Sequence, residues 1–217
     1  MRKLKYNKVF KKNKLGSDYV VGDIHGQYKQ LMHQLKEINF NFKTDRLFAT
    51  GDLIDRGPDS EKCLMLLKEP WFFSVIGNHE YHLAERGADL LITEGMGNAW
   101  LKNHQRKVTN FCDIILENQP LTITIESDGA SVGIAHAFPP KTWPEEKSSA
   151  PHTNEVLDIL WSRPLGTKVV TREPSGVDYV ICGHSRVKSI KVLKRHIFID
   201  TFDAKNKLTF VNCNQLK

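Results

Sequence analysis

The sequence predicts an α/β fold with parallel pairing. Short apolar runs alternate with segments of helical periodicity. The early apolar runs each stop at a glycine followed by polar residues. The second half changes texture, with a hairpin-like pair of runs and several further strands.

"DYVVG" (18–22) is an apolar run that ends in glycine and reads as a buried strand. "QYKQLMHQLKEI" (27–38) places Leu31, Leu35 and Ile38 on one helical face. "RLFATG" (46–51) is a second strand, and "SEKCLMLLKE" (60–69) a second helix with Ser60 as its candidate N-cap. "FFSVIG" (72–77) is a third strand. Residues 79–118 are mainly helical, with a break near "EGMGN" (94–98). "LTITIES" (121–127), the turn "SDGA" and "SVGIAH" (131–136) form a candidate hairpin. "TNEVLDILW" (153–161) is a short helix; "DYVICGH" (178–184), "HIFIDT" (196–201) and "KLTFVN" (207–212) are strands. The proline-rich "FPPKTWPEEKSSAP" (138–151) reads as a long surface loop.

Composition narrows the function classes. A chain of 217 residues can bury one sizeable core, so a single domain spanning 1–217 is the expectation. No apolar run reaches the ~18 residues of a membrane span, and no apolar stretch follows the basic N-terminus as a secretory signal requires. A cytoplasmic location with no membrane partner is expected. The four cysteines are scattered, which argues against a zinc ribbon or a redox dithiol; Cys63 and Cys182 read as reduced core residues. The formal charge is +6, but residues 1–17 hold seven Lys/Arg and no acid. The remaining 200 residues carry 24 Lys/Arg against 25 Asp/Glu. The excess sits in one basic N-terminal arm, expected to be a solvated end, which argues against nucleic acid as a partner.

Three strands run into "GDIHG", "GDLIDRG" and "GNHE". Two later strands end in "AH" (His136) and "GH" (His184). In an open α/β sheet the carboxyl ends of strands share one edge, where ligands bind. Asp23, His25, Asp52, Asp55, Arg56, Asn78 and His79 would meet there. Clustered carboxylates repel and resist losing water, and divalent cations answer both problems. Two cations sharing one carboxylate suit in-line attack at phosphorus. An arginine grips phosphate oxygens in a two-pronged geometry that lysine cannot copy.

These five motifs, in this order and spacing, resemble the phosphoprotein phosphatase branch of the calcineurin-like metallophosphoesterases. The likeness extends over "PWFFSVIGNHE", "ILWSR" and "FIDT". It implies a two-sheet β-sandwich of mixed strands flanked by helices, holding two divalent ions. Manganese is the expected metal, with iron and zinc compatible with the same ligands. It implies Asp23 and His25 on the first ion, Asp52 bridging both, and Asn78, His136 and His184 on the second. His79 would donate a proton to the leaving alkoxide, oriented by Asp55, while Arg56 and Arg163 hold the phosphate. The implied reaction is hydrolysis of phosphoserine or phosphothreonine in proteins, with phosphotyrosine and small phosphomonoesters as further substrates. A water lying between the ions would attack phosphorus directly, with no phosphoenzyme.

Glu80 reads as a helix cap. His33, His82, His104, His152 and His196 have no motif support and read as surface or structural; "PWFF" reads as core. Two departures stand out. "GHSR" has Arg186 where many relatives, nucleases included, have a second histidine, and "IDTF" has Phe202 where glycine is usual. The runner-up function is symmetrical cleavage of dinucleoside tetraphosphates, whose enzymes usually read "GNHD" rather than "GNHE". A third is a non-catalytic scaffold for phosphorylated or nucleic-acid partners that draws affinity from the basic arm.

Overall fold

The computed structural model describes residues 4–91, 96–127, 129–149, 151–165, 172–173, 175–202 and 207–216. Among the described residues ten strands form two mixed sheets. The four-stranded sheet has the order β10-β2-β3-β4, from β2 (Asp18–Val21), β3 (Arg46–Ala49), β4 (Phe72–Ser74) and β10 (Phe210–Asn212). The β2, β3 and β4 ladders are parallel, as strand–helix–strand alternation demands, and β10 returns antiparallel along β2. The six-stranded sheet has the order β1-β5-β6-β7-β9-β8. It is built from β1 (Asn7–Phe10), β5 (Thr122–Ile125), β6 (Val132–Ala135), β7 (Tyr179–Cys182), β8 (Lys191–Leu193) and β9 (His196–Phe198). β5 and β6 make the expected antiparallel pair, and β6, β7 and β9 run parallel.

The strand period of two assigns side chains to layers. Val20, Phe48, Ile123, Ile134, Ile181 and Ile197 face inward and pack the two sheets together. Their neighbours Val21, Leu47, Ala49, Ala135, Cys182 and Phe198 belong to the cluster packed under the helices. Those helices are α1 (Tyr28–Glu37), α2 (Ser60–Met65), α3 (Asn78–Arg86), α4 (Val108–Asn118) and α5 (Thr153–Trp161). Cys63 and Cys182 are buried free thiols, in keeping with their apolar surroundings along the chain. Trp71 and Phe72 are buried. Among the described residues no helix is long and apolar enough to cross a membrane.

Three expectations need correction. The basic arm is not simply a solvated end: residues 7–10 form β1, paired in parallel with β5, and Phe10 is buried against Phe48 and Phe73. The loop 138–151 is not wholly superficial. Phe138, Pro139, Pro140, Trp143 and Pro144 are buried, Trp143 Nε1–H donates to Thr124 Oγ1 at 2.8 Å, and Pro144 C=O accepts from Asn7 Nδ2 at 2.7 Å. The stretch 79–118 is less α-helical than its periodicity suggests. α3 stops at Gly87, whose φ of +50° ends the helix, and Gly87–Leu91 and Asn98–Lys107 are 3-10 turns before α4 begins. Residues 92–95 and 203–206, which hold part of the expected break and the loop after "IDTF", lie outside the described residues.

Candidate metal centre

The carboxyl ends of β2, β3 and β4 from one sheet, and of β6 and β7 from the other, meet at one rim of the sandwich. The sequence suggests a single sheet edge; the structure feeds the site from two. Each strand gives way to backbone that extended structure cannot supply. His25, Asp52, Asp55, Arg56 and His184 all have positive φ, between +43° and +70°. Left-handed backbone at a non-glycine residue costs about 1 kcal/mol or more, so five such residues at one rim mark a constrained site. Two glycines allow the loops to close on one another. A Cβ at Gly77 would run into the carboxylate and amide of Asp52, and one at Gly183 into Asp23 Oδ1 and Thr50 Oγ1.

Asp52 is the hub. His25 Nε2 and His79 Nε2 lie 3.6 and 3.8 Å from its Oδ2, and His136 Nε2 lies 3.5 Å from its Oδ1. The ligand atoms form two groups, His25–Asp52–His79 and Asp52–His136–His184, each within 4.8 Å. Asp52 belongs to both. Asn78 Oδ1 is 2.9 Å and His184 Nδ1 3.1 Å from His136 Nε2. Asp23 stands one step back: its carboxylate accepts Thr50 Oγ1–H at 2.9 Å and the His184 N–H at 3.0 Å. The first group includes His79, and Asp23 lines the same pocket behind it.

The ring orientations are fixed from behind. His25 Nδ1–H donates to Ile54 C=O at 3.0 Å and His136 Nδ1–H to Thr50 C=O at 2.7 Å, which leaves both Nε2 lone pairs facing Asp52. Burial pushes His25 down to about 4, His184 to about 3, and His136 below its ordinary value. All three are neutral imidazoles, the form that ligates metal. Burial alone would raise the Asp52 carboxyl. The imidazoles of His136, His79 and His25 outweigh it and hold the group well below the usual range. Burial, then Asp200 and Asp52, push Asp23 well above it. Crowded carboxylates facing neutral imidazole nitrogens and an amide oxygen are a donor set that fits divalent cations.

His79 sits at the mouth of this cluster. Nδ1–H donates to Asp55 Oδ2 at 2.6 Å, and Trp100 Nε1–H holds the other Asp55 oxygen at 2.7 Å. Burial favours the neutral ring, but the carboxylates of Asp52 and Asp55 prevail and raise its pKa. Arg56 donates to His25 Nε2 at 2.6 Å and His79 Nε2 at 3.1 Å, the same lone pairs a cation or a substrate proton would use. Arg163 follows α5 and is exposed; with Arg56 and Arg186 it lines a pocket of about 470 Å³ whose floor includes Asp52, Asn78 and His79.

Three participants escape a local sequence pattern. Thr50 braces both Asp23 and His136. Trp100 braces Asp55 from a 3-10 turn 45 residues away. Glu80 does more than cap its own helix. It is fully buried, and its carboxylate accepts the N–H groups of Asp52, Leu53 and Ile54 at 2.9, 2.8 and 3.1 Å, and that of Gly77 at 3.0 Å. Burial and Asp52 push the Glu80 carboxyl up to about 8. The four donors pull the other way, because only the ionised form accepts from them all.

The profile of the calcineurin-like phosphoesterase family matches residues 19–187. The chain belongs to that family. Members bind two divalent metal ions, and the His/Asp cluster is compatible with such binding. The calcineurin-like chain is 34% identical over 197 residues to serine/threonine-protein phosphatase 2 of Escherichia coli K12, covering 84% of this chain and 86% of that protein. A symmetrical bis(5'-nucleosyl)-tetraphosphatase of Erwinia tasmaniensis is 34% identical over 134 residues, covering 58% of this chain and 46% of that enzyme. A solved structure provisionally assigned as a diadenosine tetraphosphatase superposes with a TM-score of 0.65 at 24% identity, over 96% and 94% of the two chains; it shows the fold. Family and relatives together make this chain a phosphatase hydrolase with a metallophosphoesterase fold.

Proposed function

We propose that the chain is a serine/threonine protein phosphatase that works with two divalent ions, manganese in the first instance, in the cytoplasm. The observation that carries this is Asp52, the one carboxylate common to both ligand groups. Asp23, His25 and Asp52 would hold one ion, and Asp52, Asn78, His136 and His184 the other. Bound there, the ions would supply an acidified water and neutralise charge on the phosphoryl group.

The side chains do the rest. Arg56, on the loop after β3, and Arg163, after α5, hold the phosphate oxygens; Arg56 exchanges its imidazole partners for the phosphate. His79 Nε2 delivers a proton to the leaving serine or threonine oxygen. Asp55 keeps the ring in the Nδ1–H tautomer and favours its protonated form, and Trp100 keeps Asp55 in place. Asp52, Asn78 and His79 are buried at the base of the pocket, where charge interactions are stronger than in water.

The alternative is symmetrical dinucleoside tetraphosphate cleavage. The match to such enzymes covers part of the chain, whereas that to the phosphatases spans most of both proteins. Glu80 supports the phosphatase reading as well, because "GNHE" is the phosphatase form and the longer side chain reaches four amides of two loops. Metal-loaded protein given a phosphoserine peptide and diadenosine tetraphosphate side by side tests the choice. The expected result is a higher kcat/KM on the peptide; faster turnover of the nucleotide overturns it.

A further inference from the structure

The pocket carries one arginine more than phosphate binding requires. Arg186 lines it together with Arg56 and Arg163. It stands on the loop after β7, at the position where "GHSR" departs from Gly-His-x-His. Its backbone is held on both sides. The His184 N–H donates to Asp23, and the Val187 N–H donates to Asp200 C=O at 2.8 Å. Arg186 thus stands at a fixed rim position in the lining of the pocket, with its side chain exposed.

The chain beyond Arg186 carries the same sign. Residues 186–195 read "RVKSIKVLKR", five cations without an acid. This stretch leads from the pocket into β8, the edge strand of the six-stranded sheet, where Ile190 and Val192 are exposed. Lys194 pairs with Glu173 at 2.9 Å. Arg186, Lys188 and Lys191 are exposed along the same path. An extended chain would continue over this cationic edge, where among the described residues β8 pairs with β9 alone and leaves its outer side for strand-like pairing.

We propose that Arg186 is a specificity-determining residue that binds an acidic side chain flanking the phosphorylated residue, so that the enzyme prefers phosphopeptides with Asp or Glu next to the scissile phosphate. This rests on the protein phosphatase reading above. Arg56 and Arg163 take the phosphate; Arg186 takes the second anion, by a charge-assisted contact that solvent partly screens.

The test compares kcat/KM on two phosphoserine peptides of equal length, one with acidic and one with neutral flanks, with diadenosine tetraphosphate as a third substrate. Wild type should favour the acidic peptide about 3- to 10-fold at low salt, and the preference should shrink at 0.5 M salt, where charge screening is strong. Arg186→Gln should bring the ratio close to one, Arg186→Lys should keep much of it, and Arg186→Glu should invert it. A wild type that turns over both peptides equally, or an Arg186→Gln ratio equal to wild type, overturns the inference while leaving the phosphatase reading intact. A loss confined to diadenosine tetraphosphate assigns Arg186 to a nucleotide phosphate and also overturns it. No turnover of either peptide by wild type defeats both readings.

Discussion

Replacing Glu80 with glutamine would separate helix capping from support of the site. A capping glutamate at the first turn contributes about 1 kcal/mol. The structure gives Glu80 a larger part. Its Oε1 accepts from Leu53 and Ile54, and its Oε2 from Asp52 and Gly77. An amide has one acceptor oxygen, so glutamine turns an N–H group toward two of these donors. Each buried donor left without a partner costs about 1–3 kcal/mol. The expected destabilisation is therefore about 2–6 kcal/mol, read by urea unfolding of metal-free protein. The same amides fix the left-handed backbone at Asp52, so metal affinity should fall roughly 10- to 100-fold, the usual scale when a supporting hydrogen bond behind a ligand is lost. Glu80→Ala should cost at least as much. A Glu80→Gln protein within about 0.5 kcal/mol of wild type, with unchanged metal affinity, would refute the reasoning.

The same contacts set further expected outcomes. His79→Asn should retain metal but lower kcat by about two to four decades, measured with a phosphopeptide beside metal analysis; full activity would exclude His79 as the proton donor. Deleting residues 1–10 removes β1 and buried Phe10, and should cost about 3 kcal/mol or more in chemical unfolding; an unchanged midpoint would restore the arm to an inert tail. His196 is buried with Nε2 against Arg172 C=O, and burial lowers its pKa. The unfolded chain binds that proton near 6.5 and the folded one resists it, so stability should fall as pH drops below about 6.5. His196→Phe should flatten that part of the stability–pH curve, and an unaltered slope would count against a neutral folded His196.

Much of the fold could be read from residues because local pattern and tertiary role agree. β2, β3 and β4 are short buried strands whose terminal glycines announce the loops, and the hairpin of β5 and β6 is bounded by turn residues. β1 was hidden inside a cationic run, and its partner Thr122–Ile125 lies over a hundred residues away. β8 is only three residues long, Lys-Val-Leu, and lies at the sheet edge with Lys191 and Val192 exposed, too short a run to show a strand pattern. At the site, Asp52, His136 and His184 sit together as their motifs suggested, because each follows a strand. The bracing by Thr50, Trp100 and Glu80 depends on contacts between loops that no spacing along the chain reveals.

Counting metal ions per chain in the wild type and in Asp52→Asn, each purified in the presence of manganese, addresses the shared carboxylate without intermediaries. Two ions in the wild type, with loss of metal and of nearly all phosphopeptide hydrolysis in the variant, are expected. A variant that still carries two ions and turns over substrate, or a wild type whose hydrolysis survives exhaustive chelation, would contradict a centre organised around Asp52.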